Sequence, residues 1–217
     1  MSLILAIDTS SGTSVALVEN GQLRAEHNVP DTMKHAELIG AAIQDVLAQA
    51  FVHPSQIMAV VAGRGPAPFT GLRVGIAAAT MFAAGCGIKL YGAVSLDAIA
   101  LAALPNLEVS KNVPLLVTTD ARRKEVYWAL YSGLDEHGVP VRIDGPGVMK
   151  PSELEEYLLD RNVHPVTTEL PISAAKLAQL AEAQLRAGTI TEDVSALYLR
   201  AADAVEPKAR IGKAVSG

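Results

Sequence analysis

Two acids hold the positions where this chain could do phosphate chemistry. Asp8 and Asp120 each end an apolar run, and Asp8 leads into the hydroxyl-rich turn Thr9-Ser10-Ser11-Gly12-Thr13. A small phosphotransferase could use such acids to hold a metal ion, and would also need a glycine-rich backbone to approach a nucleotide's phosphates. No Gly-Gly run follows Asp120, and Gly145-Pro146-Gly147 reads as a proline-bracketed loop of another kind. Asp side chains at the start of a turn also bond the backbone two residues on, so Asp8 reads first as a turn-forming acid that caps its own loop.

Other chemistries find less. His27, His35, His53, His137 and His164 include no pair three or four residues apart, so no helix would offer two imidazoles to one metal ion. There is no Gly-x-Ser-x-Gly elbow and no Ser, His and Asp set whose spacing marks a triad. The single Cys86 rules out an internal disulfide framework and reads as a small buried residue. A formal net charge of −5 argues against a chain that grips a nucleic-acid backbone by itself. Residues 1–7 lack the cationic start and small-residue cleavage site of a signal peptide, and the apolar stretch 74–86 is shorter than the roughly 20 residues that span a bilayer. A cytoplasmic protein is the expectation.

The elements that must position these residues repeat. Residues 3–8 form a β-rich run that turns and returns over 14–19, and Asn20-Gly21, both tolerant of positive φ, predicts a hairpin into a third strand over 22–28. Asp31 or Thr32 can cap a helix whose apolar positions Leu38, Ile39, Ala42, Ile43, Val46, Leu47 and Ala50 follow a 3.6-residue period. A buried strand over 57–62, a Gly/Pro loop, a helix, a strand over 89–93 and an alanine-rich helix from about Ser95 complete the first half. The second half restarts with a strand over 113–120 ending in Asp120 and a return over 125–131. Acid-first and alanine-rich helices follow at 151–159 and 173–187, the latter closed by Gly188. The natural boundary lies at 105–112, giving lobes 1–108 and 109–217, with 50% hydrophobic residues to fill them.

The helix after the Gly/Pro loop carries a second signal. Gly71, Gly75, Ala79 and Ala83 recur every four residues and so share one face, a smooth strip that lets another helix come close and is expected to be covered by the chain's own fold or by a partner. Ile76, Ala77, Ala78, Met81 and Phe82 flank it, and Arg73 is the one charged residue over about three turns. Arg73 is expected to find an acid or a carbonyl.

A three-stranded meander followed by helix, strand, helix, strand and helix, then repeated, resembles the paired ribonuclease H-like lobes of the actin, sugar-kinase and heat-shock superfamily (the actin-like ATPase, or ASKHA, fold). Within it, Leu5-Ala6-Ile7-Asp8-Thr9-Ser10, the loop Gly65-Pro66-x-x-Phe69-Thr70-Gly71-Leu72-Arg73-Val74-Gly75, the hairpin Asp120-Ala121-Arg122-Arg123-Lys124-Glu125-Val126-Tyr127 and the late Tyr198-Leu199-Arg200 resemble the bacterial TsaB (YeaZ) family in order and spacing. The likeness runs from residue 3 to about 208. The segment 162–173 is short beside relatives, so the second lobe is expected to be reduced, without a strand there. Ala67 stands where the family has glycine, and it would be strained if that position needs positive φ.

The resemblance implies a scaffold subunit without catalysis of its own, in the machinery that forms threonylcarbamoyladenosine next to the anticodon of tRNAs reading codons that begin with A. It implies a catalytic TsaD-like partner, a TsaE-like P-loop ATPase, ATP only at the level of the assembly, tRNA reached through the complex, a homodimer in isolation and no membrane. In nucleotide-using members of the superfamily the first acid and its turn bind metal and phosphate, which marks Asp8, Thr9 and Ser10 as a vestigial phosphate site. The pairing surface is expected to comprise His35, Glu37 and Leu38, matching the family's His-x-Glu-Leu pattern, with Gly71, Leu72, Arg73, Gly75, Ala79, Met81, Phe82 and Ala83. Arg122-Arg123-Lys124 reads as a solvated hairpin tip, with contact to tRNA or the ATPase as the alternative.

Overall fold

The computed structural model describes residues 2–30, 34–110, 112–168 and 170–200. Strands β1 (Leu3–Asp8), β2 (Thr13–Glu19) and β3 (Gln22–Val29) form the meander, and helix α1 (His35–Ala50) follows. Then come β4 (Ala59–Gly63), α2 (Phe69–Cys86), β5 (Lys89–Ala93) and α3 (Ser95–Ala103). The second half supplies β6 (Leu115–Asp120), β7 (Val126–Leu134), β8 (Pro140–Met149), α4 (Pro151–Asp160), β9 (Val166–Thr168) and α5 (Ala174–Ala187). The expected caps at Asp31 and Thr32 lie outside the described residues.

The sheets have the orders β3-β2-β1-β4-β5 and β8-β7-β6-β9. In each, an antiparallel meander is extended by a strand parallel to its first member. This repeated order is the ribonuclease H-like, actin-type α/β architecture, with the second copy one strand smaller. Two expectations are corrected here. Gly145-Pro146-Gly147 belongs to β8, whose pairing with β7 shifts register repeatedly, and that irregularity hid the strand. The short 162–173 segment still contributes β9, three residues parallel to β6.

Helix exchange joins the halves. Every residue of β1 is buried, which places the strand at the middle of a sheet covered on both faces. Leu3, Leu5 and Ile7 pack with α1 and α2, whereas Ile4 and Ala6 pack with Leu177, Leu180 and Ala181 of α5 from the other half. In return α3 of the first half supplies Leu96, Ile99 and Ala103 to the core under β6 and β7. There Asp97 is buried and accepts hydrogen bonds from Tyr131 Oη at 2.6 Å and Arg142 at 3.0 Å. Burial pushes both the Asp97 carboxyl and the Tyr131 phenol above their ordinary values.

The small-residue strip of α2 faces inward, covered by the chain's own fold and not, as the pairing-surface expectation had it, by a partner. Ala79 and Ala83 lie in the core against β1 and β4, and Leu72 is fully buried. The Thr9 hydroxyl bridges α2, donating to Gly71 O at 2.8 Å and accepting the Gly75 N–H at 3.1 Å, the carbonyl and amide that a regular helix pairs with each other. A Cβ on Gly71 would lie 2.8 Å from His35 Nε2, and one on Gly75 would overlap Thr9 Oγ1. Close approach is therefore required, but by the chain's own turn.

Gly75→Leu is accordingly expected to destabilise the isolated chain. Overpacking of this kind costs about 1–3 kcal/mol, or roughly 2–12 °C in Tm at this size. A thermal melt checks it, and an unchanged Tm would return the strip to the surface.

Candidate functional site

The end of β1 is a buried polar junction. Asp8, 1% exposed, turns its carboxylate inward: Oδ1 accepts the Ser10 N–H at 2.7 Å and Oδ2 accepts the Ser95 hydroxyl at 2.6 Å. Ser95 is itself bound by the Gly65 N–H at 3.2 Å, and its own N–H donates to Gly65 O at 2.9 Å. The Ser10 and Ser95 hydroxyls are 2.9 Å apart. Gly63 must be glycine because the Asp8 carboxylate occupies the place of its Cβ. Burial pushes the Asp8 carboxyl above the usual range, opposed by the Ser95 and Ser10 hydrogen bonds and by the nearby His35.

In front of this junction a cleft of about 550 Å³ opens between the lobes. Thr9, Ser10, Ser11, Thr70 and Gly71 line it from the first lobe, and Thr119, Asp120 and Arg122 from the second. Asp120 is exposed, bonds the Arg122 N–H at 2.7 Å and pairs with its guanidinium at 3.2 Å. The two sequence-marked acids thus have different surroundings. Asp120 borders this cleft, and Asp8 instead borders a smaller hollow of about 190 Å³ near Asn28 and Ser173. Among the described residues no group of three or more His, Cys, Asp or Glu side chains is placed to hold a metal ion, and no helix is long and apolar enough to cross a membrane.

The residues expected at a pairing surface divide. His35 is buried and its Nδ1 lies 2.9 Å from Thr13 Oγ1, so it serves the fold. Gly75, Ala79, Ala83 and Leu72 are buried as described, Gly71 stands close to His35, and Phe82 packs against the core from the edge of α2. Glu37 and Met81 are exposed, Met81 at 72%, and Leu38 is half-buried. Arg73 finds a phenol: its Nε donates to Tyr198 Oη at 2.6 Å and its guanidinium lies 5.5 Å from that ring's centre. Ala67 has no positive φ and carries no such strain; Gly65, at φ 85°, does need its glycine.

Residues beside those named from the sequence complete the outer layer. On α1 and α2, which lie side by side on one face of the first sheet, Ala36, Gly40, Ala41 and Ala48 face outward alongside Ala77, Met81, Ala84 and Gly85. Phe51, ending α1 at φ 54°, is 94% exposed. The tail is also structural. Arg64 binds Asp193 at 2.7 Å and Ser195 O at 2.9 Å, and Arg200 donates to Ala121 O at 2.9 Å and pairs with Glu125. Spacings of 129 and 131 residues for the Arg64 contacts and of 79 for Arg200 to Ala121 left no local signal.

With this geometry in hand, the comparisons with known proteins are specific. The family model described as TsaD, tRNA N6-adenosine threonylcarbamoyltransferase, matches residues 29–199. YeaZ from Pseudomonas aeruginosa superposes with a TM-score of 0.76 at 26% identity, covering 92% of this chain and all of that one. The chain therefore has the actin-like fold of the threonylcarbamoyltransferase group. An Escherichia coli relative described as tRNA threonylcarbamoyladenosine biosynthesis protein TsaB is 34% identical over 156 residues, 71% of this chain and 65% of that protein. An uncharacterized protein of Mycobacterium leprae is 39% identical over 160 residues, again 71% of this chain but 41% of the longer relative. The match thus spans less than two thirds of either protein. The chain belongs to the TsaB (YeaZ) family.

The buried Asp8 yields a pH prediction. Because its folded pKa lies above the unfolded value, its contribution to stability is complete below about pH 3.9 and is lost as pH rises through the folded value. Asp8→Asn, which keeps an oxygen for the Ser10 N–H, is expected to match the parent's Tm near pH 4 and to equal or exceed it at pH 7. Melts across that range check this. A mutant less stable than the parent only at pH 7 would mean that the fold depends on the ionised carboxylate.

Proposed function

We propose that this chain is a non-catalytic scaffold subunit in the formation of tRNA threonylcarbamoyladenosine, carrying a TsaD-like catalytic partner on the outer face of α1 and α2. The carrying observation is the contrast between that face and the β1 turn. Asp8 spends both carboxylate oxygens on the protein's own Ser10 and Ser95, whereas the exposed positions of α1 and α2 are largely small or apolar (Ala36, Gly40, Ala41, Ala48, Ala77, Met81, Ala84 and Gly85), with Glu37, Asp45 and Arg73 as their charges. Small side chains let a partner's backbone approach closely, and Phe51 and Met81 supply apolar side chains for a partner's pockets.

In this reading ATP enters with the assembly, through a TsaE-like ATPase, and tRNA is reached through the complex. In isolation the same face pairs two copies. The cytoplasm is where such a subunit would work. The rival reading, a small phosphotransferase using Asp8 and Asp120, would need both acids to face one substrate. Asp8 instead lies behind the turn that lines the interlobe cleft.

Met81→Arg tests the proposal. An unpaired charge in a desolvated helix contact is expected to weaken association with the TsaD-like partner by at least about tenfold, or about 1.4 kcal/mol. The isolated chain's Tm should stay within the ~0.5 kcal/mol usual for exposed sites. The purified chain alone is expected to hydrolyse no ATP. Unchanged partner affinity would remove this surface from the account, and ATP turnover that disappears in Asp8→Asn would favour the phosphotransferase.

A further inference from the structure

The hairpin between β6 and β7 carries Arg122, Arg123 and Lys124 at φ values of 62°, 56° and 62°. Residues with side chains visit the left-handed region singly, and each one placed there is unfavourable. Three in succession, all basic and all exposed, form a conformation that the surroundings must impose. They do so from below. Asp120 Oδ1 accepts the Arg122 N–H at 2.7 Å, the Glu125 N–H bonds Arg122 O at 3.0 Å, and the Ala121 N–H bonds Glu125 O at 3.0 Å. Arg200, arriving from the tail, bonds Ala121 O and pairs with Glu125.

These contacts also shape the charge. Arg200 engages Glu125 and Arg122 engages Asp120, so residues 120–125 together with Arg200 hold four cations and two carboxylates, in a chain whose net charge is −5. Arg122 borders the interlobe cleft and Lys124 a second groove beyond the hairpin, which sets the tip between two depressions of the surface.

We propose that this tip is a phosphate contact for RNA: within the assembly described above, Arg122, Arg123 and Lys124 meet the backbone of the bound tRNA. The inference rests on the scaffold reading. Guanidinium forks match phosphate oxygens two at a time, and an ammonium adds a point charge. Such contacts position a nucleic acid without reading its sequence. One tip supplies too few of them for an acidic chain to hold RNA alone, so their effect is felt in the complex, where they add to the partner's contacts. RNA is favoured over an acidic protein face because relatives of this chain are named for a tRNA modification.

The test assembles the full chain with the TsaD-like partner of the same organism and measures tRNA binding between about 50 and 200 mM salt. Arg122, Arg123 and Lys124 are replaced together by Asn, which tolerates left-handed backbone; Arg123→Glu is the second variant. The triple variant is expected to melt no lower than the parent and to bind the partner equally well. Its tRNA affinity should fall at least about tenfold, with a plot of log K against log salt shallower by about 2, since each lost phosphate contact removes roughly 0.7–0.9 from the slope. Arg123→Glu should shift both in the same direction. Unchanged tRNA affinity and slope in a complex that still forms would overturn the tip proposal alone. Loss of partner binding by either variant would assign the tip to a protein contact and overturn it too. A parent complex that forms but binds no tRNA would overturn the tip proposal, whereas a parent complex that does not form would overturn the scaffold reading as well.

Discussion

The rest of the structure depends on satisfying one buried carboxylate. Asp8 ends the central strand of the first sheet at a point closed off from water, where an ionisable group without partners is costly. Ser10 and Ser95 supply those partners, and each brings an element with it: the turn after β1 and the first residue of α3. Gly65 is drawn in through Ser95, and Thr9, one residue on, seats the first turns of α2. Three stretches distant in sequence, 8–10, 63–75 and the start of α3 at Ser95, are thereby fixed about one turn. The same arrangement accounts for the glycines at 63, 71 and 75, which leave room for Asp8, His35 and Thr9.

This junction sits where the halves exchange helices. Because α3 packs under the second sheet and α5 under the first, separating the lobes would expose both cores at once. The tail adds a strap, running from Arg64 past Arg73 to the 121–125 hairpin. A chain braced in this way suits a subunit whose work is to hold a face in place. The outer side of α1 and α2 is that face in the proposed account.

Much of this was legible in the sequence. The meander, the Asn20-Gly21 turn, α2, α5 with its Ser173 and Gly188 ends, and the restart of the pattern at β6 are all carried by local periodicity and turn residues, which act over a few positions. What failed needed distant information. Gly71, Gly75, Ala79 and Ala83 announce that something comes close to α2, but small residues do not say whether the neighbour is another molecule or the Thr9 turn. His35 looked like a surface residue because its partner, Thr13, lies across the sheet end. Strand β8 was hidden by its register shifts and β9 by its length of three residues.

Hydrogen exchange of the chain with and without its TsaD-like partner tests the central claim most directly. The account predicts that the partner slows exchange in α1 and α2, at 36–49 and 77–85, and leaves the Asp8 turn unchanged, since that turn is already sealed by Ser10 and Ser95. Protection confined to the interlobe cleft around Thr9, Thr70 and Asp120, with α1 and α2 exchanging as they do alone, would contradict it.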